Sequence, residues 1–472
     1  MLVKLYNTAT RKIEEFKPLK PPEVAFYTCG PTVYDFSHLG HLRTYTNSDV
    51  LKRTLQYLGY KVKHVMNITD VGHLTSDSDE GQDKMEKGAE KRQMTVWDLA
   101  KTYTDFFFYS TEQLNIKKPD IIAPATEHIP DFIKLIEVLL EKGFGYETGQ
   151  AVYFDVKKFT DYGKLSGQKL EEKEIGVREE VHVDKEKRNP ADFALWFKRV
   201  GRFKDHVMYW PSPWGDGFPG WHIECSAMCM KYLGETIDIH GGGIDHIPVH
   251  HENEIAQSEA ATGKQFARYW FHNDFLLVEG QKMSKSLDNF LTIDHIKKRD
   301  IDPLALRLLY FQTHYRQIMN FTWDALYAAK SAYERLKAVI VELKEKEKKI
   351  NMQEEYSEEG RSRKQKFIDA ISDDLQMPRA LAVLWETVKS NLPAREKLHL
   401  LLDFDEVLGL GLKTIEKEIY DIPEEVIKLA QEREEARLIG DFARADRVRD
   451  EIHKRGFAIK DTDHGFEIAR RK

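Results

Sequence analysis

Four clusters in this 472-residue chain hold side chains that could do chemistry. In the first, Cys29-Gly30-Pro31 leads to His38-Leu39-Gly40-His41. Two histidines flanking a glycine, where a helix would start after a strand, suit an anionic ligand, because free N–H groups and the positive helix end face it there. Gly40 lets a base or ribose come close to the backbone. In the second, Lys282-Met283-Ser284-Lys285-Ser286, two lysines three apart form a cationic clamp for charge developing on a transferred phosphate. In the third, Cys29, Cys225, His250 and Glu254 are ligand types that suit zinc, and a spacing of four puts His250 and Glu254 on one helix face. The fourth is His240-Gly241-Gly242-Gly243-Ile244-Asp245, whose glycines admit adenosine and whose carboxylate suits ribose hydroxyls. Each cluster alone has a plain alternative: chance histidines, a basic turn, buried structural cysteines, a flexible loop.

These side chains need elements to position them. Glu23–Cys29 reads as a buried strand stopped by Gly30-Pro31. Ser37 is the expected cap of a helix running to about Tyr57, and Lys61–Ile68 reads as a second strand. Strand, helix, strand is a parallel unit of a doubly wound sheet, and such sheets bind ligands at their carboxyl ends. Residues 71–92 read as a charged surface excursion before a helix from about Thr95 to Leu114. Residues 119–220 read as an insertion between residues 1–118 and 221–304, the two halves of the sheet domain. Thr236–His240 is a further apolar strand. From Asp324, Leu326, Ala329, Tyr333, Leu336, Ile340 and Leu343 recur at steps of three and four, one buried stripe of a helix. Residues 305–420 are expected to be a helical bundle and 421–472 a small α+β module ending in a hairpin around Asp461–Gly465.

Composition narrows the classes. With 41% of residues in the apolar set, a wholly disordered chain is excluded. Three cysteines exclude a disulfide scaffold and fit a reducing compartment. Met1 to Leu19 has no apolar core of a leader, and no stretch nears the roughly 20 apolar residues of a membrane span, so a cytoplasmic protein is expected. The 71 basic and 78 acidic residues leave a net charge of -7, which argues against a non-specific nucleic-acid coat but allows one structured RNA partner.

The two signatures together, His38–His41 and Lys282–Ser286, resemble those of the class I aminoacyl-tRNA synthetases. Thr28–Asp35 (TCGPTVYD), Asn189–Trp196 (NPADFALW), Gly220–Met228 (GWHIECSAM), His240–Asp245, His250–Gln257 (HHENEIAQ) and Ala445–Asp463 resemble the cysteinyl-tRNA synthetases in particular, over nearly the whole chain. That resemblance implies a Rossmann-like doubly wound catalytic domain with a connective insertion, an anticodon-binding helical bundle and a C-terminal tRNA-binding module. It implies cysteine activation by ATP with Mg²⁺, transfer to tRNA(Cys), and a monomer. His38, His41, Lys282 and Lys285 would be catalytic, and these four with Gly30, Gly40, Gly242, Gly243, Asp245 and Ser284 would bind ATP. Cys29, Gly30, Thr69 and Trp221 would contact the cysteine, and Cys29, Cys225, His250 and Glu254 would hold one Zn²⁺. Zinc's preference for thiolate would separate the substrate from its hydroxyl analogue, which shape alone does poorly. Cys229 is then a buried bystander, and His251, next to His250, is expected on another side of the helix. One departure stands out: after Asn67-Ile68-Thr69-Asp70 the family's second acidic pair and lysine are missing, and Asp83-Lys84, beyond a longer loop, is the candidate replacement. A cysteine:amino-sugar ligase would share the catalytic half but lack the helical region and hairpin. A non-catalytic tRNA-binding paralogue would not need both signatures.

Overall fold

The computed structural model describes all residues except 1, 73, 75–82, 169–183, 285–286, 348–355, 418–421, 463–464 and 471–472. The chain forms two compact units, Met1–Thr414 and Ile415–Lys472.

The first unit is built on five parallel strands in the spatial order Ala267–Asn273, Ile237–Gly243, Glu23–Thr28, Lys61–Ile68, Ile121–Pro124. The chain runs outward in one direction from Glu23–Thr28, then returns at Ile237–Gly243 and runs outward in the other. The crevice beyond the carboxyl ends of those two neighbours is where such a sheet takes its ligand. Cys29 follows one strand end, and Gly241–Gly243 form the other. Ile121–Pro124, which the sequence reading put in the insertion, is the edge strand of this sheet. A separate antiparallel sheet follows: Gly145–Glu147, Ala151–Phe154, Phe193–Lys198 and Gly217–Pro219.

The signature helix, Leu39–Tyr57, starts one residue later than its expected cap allows. Its N-cap is His38 rather than Ser37, and the His38 Nδ1 accepts the His41 N–H at 3.2 Å. A ring nitrogen thus does the work usually given to Ser, Thr or Asp. The helix is locked to its surroundings by buried charge. Arg43, 1% exposed, donates to the carbonyls of Asp274, Phe275, His314 and Gln317 at 2.8–3.0 Å. Asp49 accepts from Arg53 at 2.7 Å and from Arg307 at 2.6 Å. The Arg43 acceptors lie just before Leu276–Val278 and Met319–Phe321, the central and one edge strand of a small sheet whose other edge, Gln281–Lys282, opens the lysine loop.

Beyond it the unit is helical: Trp323–Glu347, Glu358–Ser372, Met377–Lys389 and Ala394–Leu408. The buried residues of Trp323–Glu347 are Leu326, Ala329, Tyr333, Leu336, Ile340 and Leu343, the stripe expected from spacing. In the second unit, helices Glu424–Leu438 and Phe442–Lys454 and the hairpin Phe457–Thr462/Gly465–Arg470 close over Val426, Ala430, Val448, Ile452 and Phe457. No helix among the described residues is long and apolar enough to cross a membrane.

Candidate active site and metal centre

Cys29 and Cys225 come from chain segments 196 positions apart, yet their sulfurs lie 4.0 Å from each other. Cys225 sits on the helix Trp221–Leu233, among the apolar neighbours Tyr27, Val65, Ile255 and Trp270. Glu254 completes the grouping, with one carboxylate oxygen 3.6 Å from Cys29 Sγ and 3.0 Å from His250 Nε2. All four donor atoms of Cys29, Cys225, His250 and Glu254 fall within 4.8 Å of one another, and none of the four residues is more than 6% exposed.

Burying that many ionisable groups is costly unless they neutralise one another or share a cation. Burial pushes the Glu254 carboxyl up, but His240 and His250 outweigh it and hold the carboxyl below the usual range. Burial likewise opposes Cys225 ionisation, yet the Cys29 thiol donating to it, helped by His250, brings Cys225 down to about 6. Cys29 is pushed up, first by burial and then by its bond to Cys225. Two sulfurs, an imidazole and a carboxylate in a dry pocket are a donor set fit for a thiophilic divalent metal.

His251 does not face away. Residues Ile247–His251 form a π-turn rather than a regular α-helical turn. Its wider spiral changes the divergence of neighbouring side chains. His251 Nε2 reaches Cys29 Sγ at 3.3 Å, and its Nδ1 is 2.7 Å from His272 Nε2. Cys29, His240, His251 and Glu254 therefore make a second, overlapping donor group. Cys229 belongs to neither group and is buried in the apolar cluster. Outside the donors, His222 Nδ1 lies 2.9 Å from His250 Nδ1, and Trp221 stacks on His250 at 4.1 Å.

Three of the donors, Cys29, Cys225 and His250, line a cavity of about 250 Å³, whose wall also includes Gly30, Tyr34, His41, Lys84, Trp221, Gly243, Asp245 and His246. Gly30 cannot carry a side chain: a Cβ there would lie 1.6 Å from the Asn67 carbonyl oxygen. Its N–H donates to Asn67 Oδ1 at 2.7 Å, and Asn67 in turn donates to Thr69 Oγ1 at 3.1 Å. Thr69 donates to the fully buried Glu224 at 2.9 Å. A Cβ on Gly242 would press on His251, and one on Gly243 on Asp245. His41 of the cavity wall stacks on His38 at 3.6 Å. Loss of hydration pushes His38 down to about 2, with the neighbouring His41 as second cause. The His38 ring is therefore neutral at pH 7. Because His38 Nδ1 accepts a backbone N–H, its proton sits on Nε2.

The lysine loop meets the helix start. A Cβ on Gly40 would lie 3.1 Å from Met283 Cε, the Leu39 N–H donates to the Leu291 carbonyl, and Phe290 packs edge-on against His38. Lys282 is exposed, with its ammonium 5.6 Å from the Phe275 ring, and the Ser284 N–H donates to Asn289. Lys285 lies outside the described residues.

With this geometry in view, the comparisons are decisive. The family tRNA synthetases class I (C) catalytic domain matches residues 15–331. A cysteine–tRNA ligase of Treponema denticola is 44% identical, covering 98% of both chains. Another, from Burkholderia lata, is 44% identical over 99% of this chain and 97% of its own. The chain belongs to the class I cysteine–tRNA ligase family. Among solved structures, Mycobacterium tuberculosis methionyl-tRNA synthetase in complex with methionyl-adenylate covers 90% of this chain at 15% identity with a TM-score of 0.59, a likeness of fold. In this family member, sequence reasoning missed His222, Glu224, His246 and His251. Their signal was present, since all four lie inside or beside quoted motifs, but only burial and distance single them out.

Proposed function

We propose that the chain activates L-cysteine with ATP and transfers the cysteinyl group to the 3′-terminal adenosine of tRNA(Cys). The observation that carries this is one cavity lined by Cys29, Cys225 and His250 of the buried donor set and by His41 of the stacked histidine pair. Cys29, Cys225, His250 and Glu254 would hold Zn²⁺, since the 4.0 Å sulfur separation is close to the edge of roughly 3.8 Å in a tetrahedron with ~2.3 Å Zn–S bonds. When bound, the metal supplies a site that prefers a substrate thiolate to a hydroxyl.

The remaining work falls to the chain. Trp221 and the Asn67–Thr69–Glu224 relay shape the wall beside the amino acid. Gly30 and Gly243 let the substrates approach the backbone, and Asp245 is placed to accept from ribose hydroxyls. The carboxylate of cysteine attacks the α-phosphorus and pyrophosphate leaves, with Mg²⁺ accompanying ATP. The protein contributes positioning and charge stabilisation rather than covalent catalysis. His38 presents Nε2–H to phosphate oxygens as a neutral donor, and His41 lies beside it. Lys282 and Lys285, with Ser284 in the same loop, gather the charge that develops on the leaving pyrophosphate. The helical region from 305 and the module from 421 would carry the tRNA. From Arg437 onward 10 basic residues face 7 acidic ones, a modest excess that leaves room for stacking and base-edge contacts in RNA binding. On this reading the enzyme acts as a monomer in the cytoplasm.

The test is cysteine-dependent charging of bulk tRNA, with acid-labile aminoacyl product and bound zinc measured on the same sample. Charging with about one zinc per chain is expected. Cysteine activation without tRNA charging would instead favour a small-molecule cysteine ligase.

A further inference from the structure

Among the described residues, Lys84 is the one lysine or arginine in the wall of the cavity. Neither signature contains it, and it comes from the stretch where the sequence departs from the family pattern. Its position is not that of a loose loop residue. Lys84 is the first residue of the helix Lys84–Arg92, and Asp83 caps that helix, its Oδ1 accepting the Met85 and Glu86 N–H groups at 2.7 and 3.0 Å. The other Asp83 oxygen lies 3.2 Å from His206 Nε2, while His206 Nδ1 donates to the Met208 carbonyl at 2.9 Å. Asp83 is 4% and His206 3% exposed. The Val207 N–H donates to Glu86, a second tie between the same two segments. Gly72 leaves room for the pair, since a Cβ there would lie 2.6 Å from Asp83 Oδ2. The Lys84 ammonium sits 5.4 Å from the ring centre of Tyr34, itself a wall residue.

A buried acid–histidine contact spanning 123 positions fixes a helix whose first side chain enters the cavity. We propose that Lys84 is a catalytic residue whose ammonium takes an anionic oxygen at the reacting centre, either the amino-acid carboxylate or the α-phosphate. Asp83 and His206 are its positioning residues, which gives the segment around 206 a part in activation. In the step served, the carboxylate oxygen bonds to the α-phosphorus and the bond to the bridging oxygen of pyrophosphate breaks. Lys84 stays protonated and only offsets charge.

This rests on reading the cavity as the place of adenylate formation, so wild-type protein is assayed first. If it shows no cysteine-dependent ATP–pyrophosphate exchange, that reading fails. If it does, Lys84→Met should lower kcat/KM for exchange on the order of 30-fold, with Lys84→Arg recovering part of the loss. Equilibrium binding separates the two oxygens. Weaker binding of cysteine with unchanged binding of cysteamine, which lacks the carboxylate, assigns the carboxylate. Unchanged binding of both with reduced kcat assigns the phosphate. His206→Gln should reproduce the Lys84→Met pattern in weaker form, and the double variant should be no worse than Lys84→Met alone. Lys84→Met with kcat and KM within twofold of wild type overturns the proposal. His206→Gln that lowers the melting temperature but leaves exchange unchanged overturns the positioning part.

Discussion

The donors Cys29, Cys225, His250 and Glu254 come from one strand end, two helices and a π-turn, none more than 6% exposed, each bonded to another donor or to a second histidine. By contrast, His41, in the wall of the same cavity, and Lys282, in the lysine loop, are open to solvent. On the proposed assignment the difference would match two chemical tasks. Choosing a thiol over a hydroxyl requires a rigid site whose ligands are already assembled, because any slack lets the wrong atom in. Stabilising a leaving polyphosphate requires groups that can gather around charge as it develops, so they are placed where the substrate can recruit them.

The contrast can be broken most strongly at the donor set. Glu254→Gln removes the charge shared by His240 and His250, and cysteine-dependent exchange should fall on the order of 100-fold or more, with zinc lost in parallel by elemental analysis. Full exchange by the demetallated variant would refute the coupling. In the lysine loop, Lys285→Ala or Lys282→Ala should slow adenylate formation on the order of 100-fold while cysteine binding by titration stays within a few-fold. Equal effects on both would remove the clamp assignment.

A smaller effect concerns pH and stability. His38 and His64 both have their pKa lowered in the folded chain, His64 to about 3, each chiefly by burial. Below the ordinary value near 6.5 the unfolded chain therefore binds more protons, and stability falls as pH drops from about 6.5 toward those depressed values. Urea midpoints at pH 7.5, 6 and 5 should decrease in that order. His38→Asn, which keeps a capping acceptor, should flatten the decline. The smallest change is expected for Cys229→Ala: a loss of about 1 kcal/mol in stability from a filled core, with zinc content and exchange unaltered. Zinc lost from that variant would mean that Cys229 is a ligand after all.

These contrasts also mark what could be read from the chain. The buried stripe of the long helix was legible to the residue, since Leu326 through Leu343 report burial by spacing alone, although Asp324, the expected cap, lies inside the first turn of a helix that begins at Trp323. The four donors were legible by type, and the structure brings their atoms together. His251 was misread because a π-turn replaces the regular helix that adjacency assumes, and no local residue announces it. The cap was misplaced from Ser37 to His38 because propensity favours serine, while the bond is decided by which acceptor reaches the free N–H. Ile121–Pro124 looked like part of an insertion because an edge strand of four residues carries too little pattern to declare its partner.

The separation of the donors along the chain has a consequence during synthesis. Cys29 and Glu254 are 225 positions apart. At 5–20 residues per second, Cys29 waits roughly 11–45 s on the ribosome before its last partner is made. For that interval it is an unligated thiol in a nascent chain, open to oxidation and to capture by other metals. Yield of metal-competent protein should therefore depend on the redox state and free zinc present while the chain is being made, and adding zinc after purification should recover only the fraction whose Cys29 remained reduced.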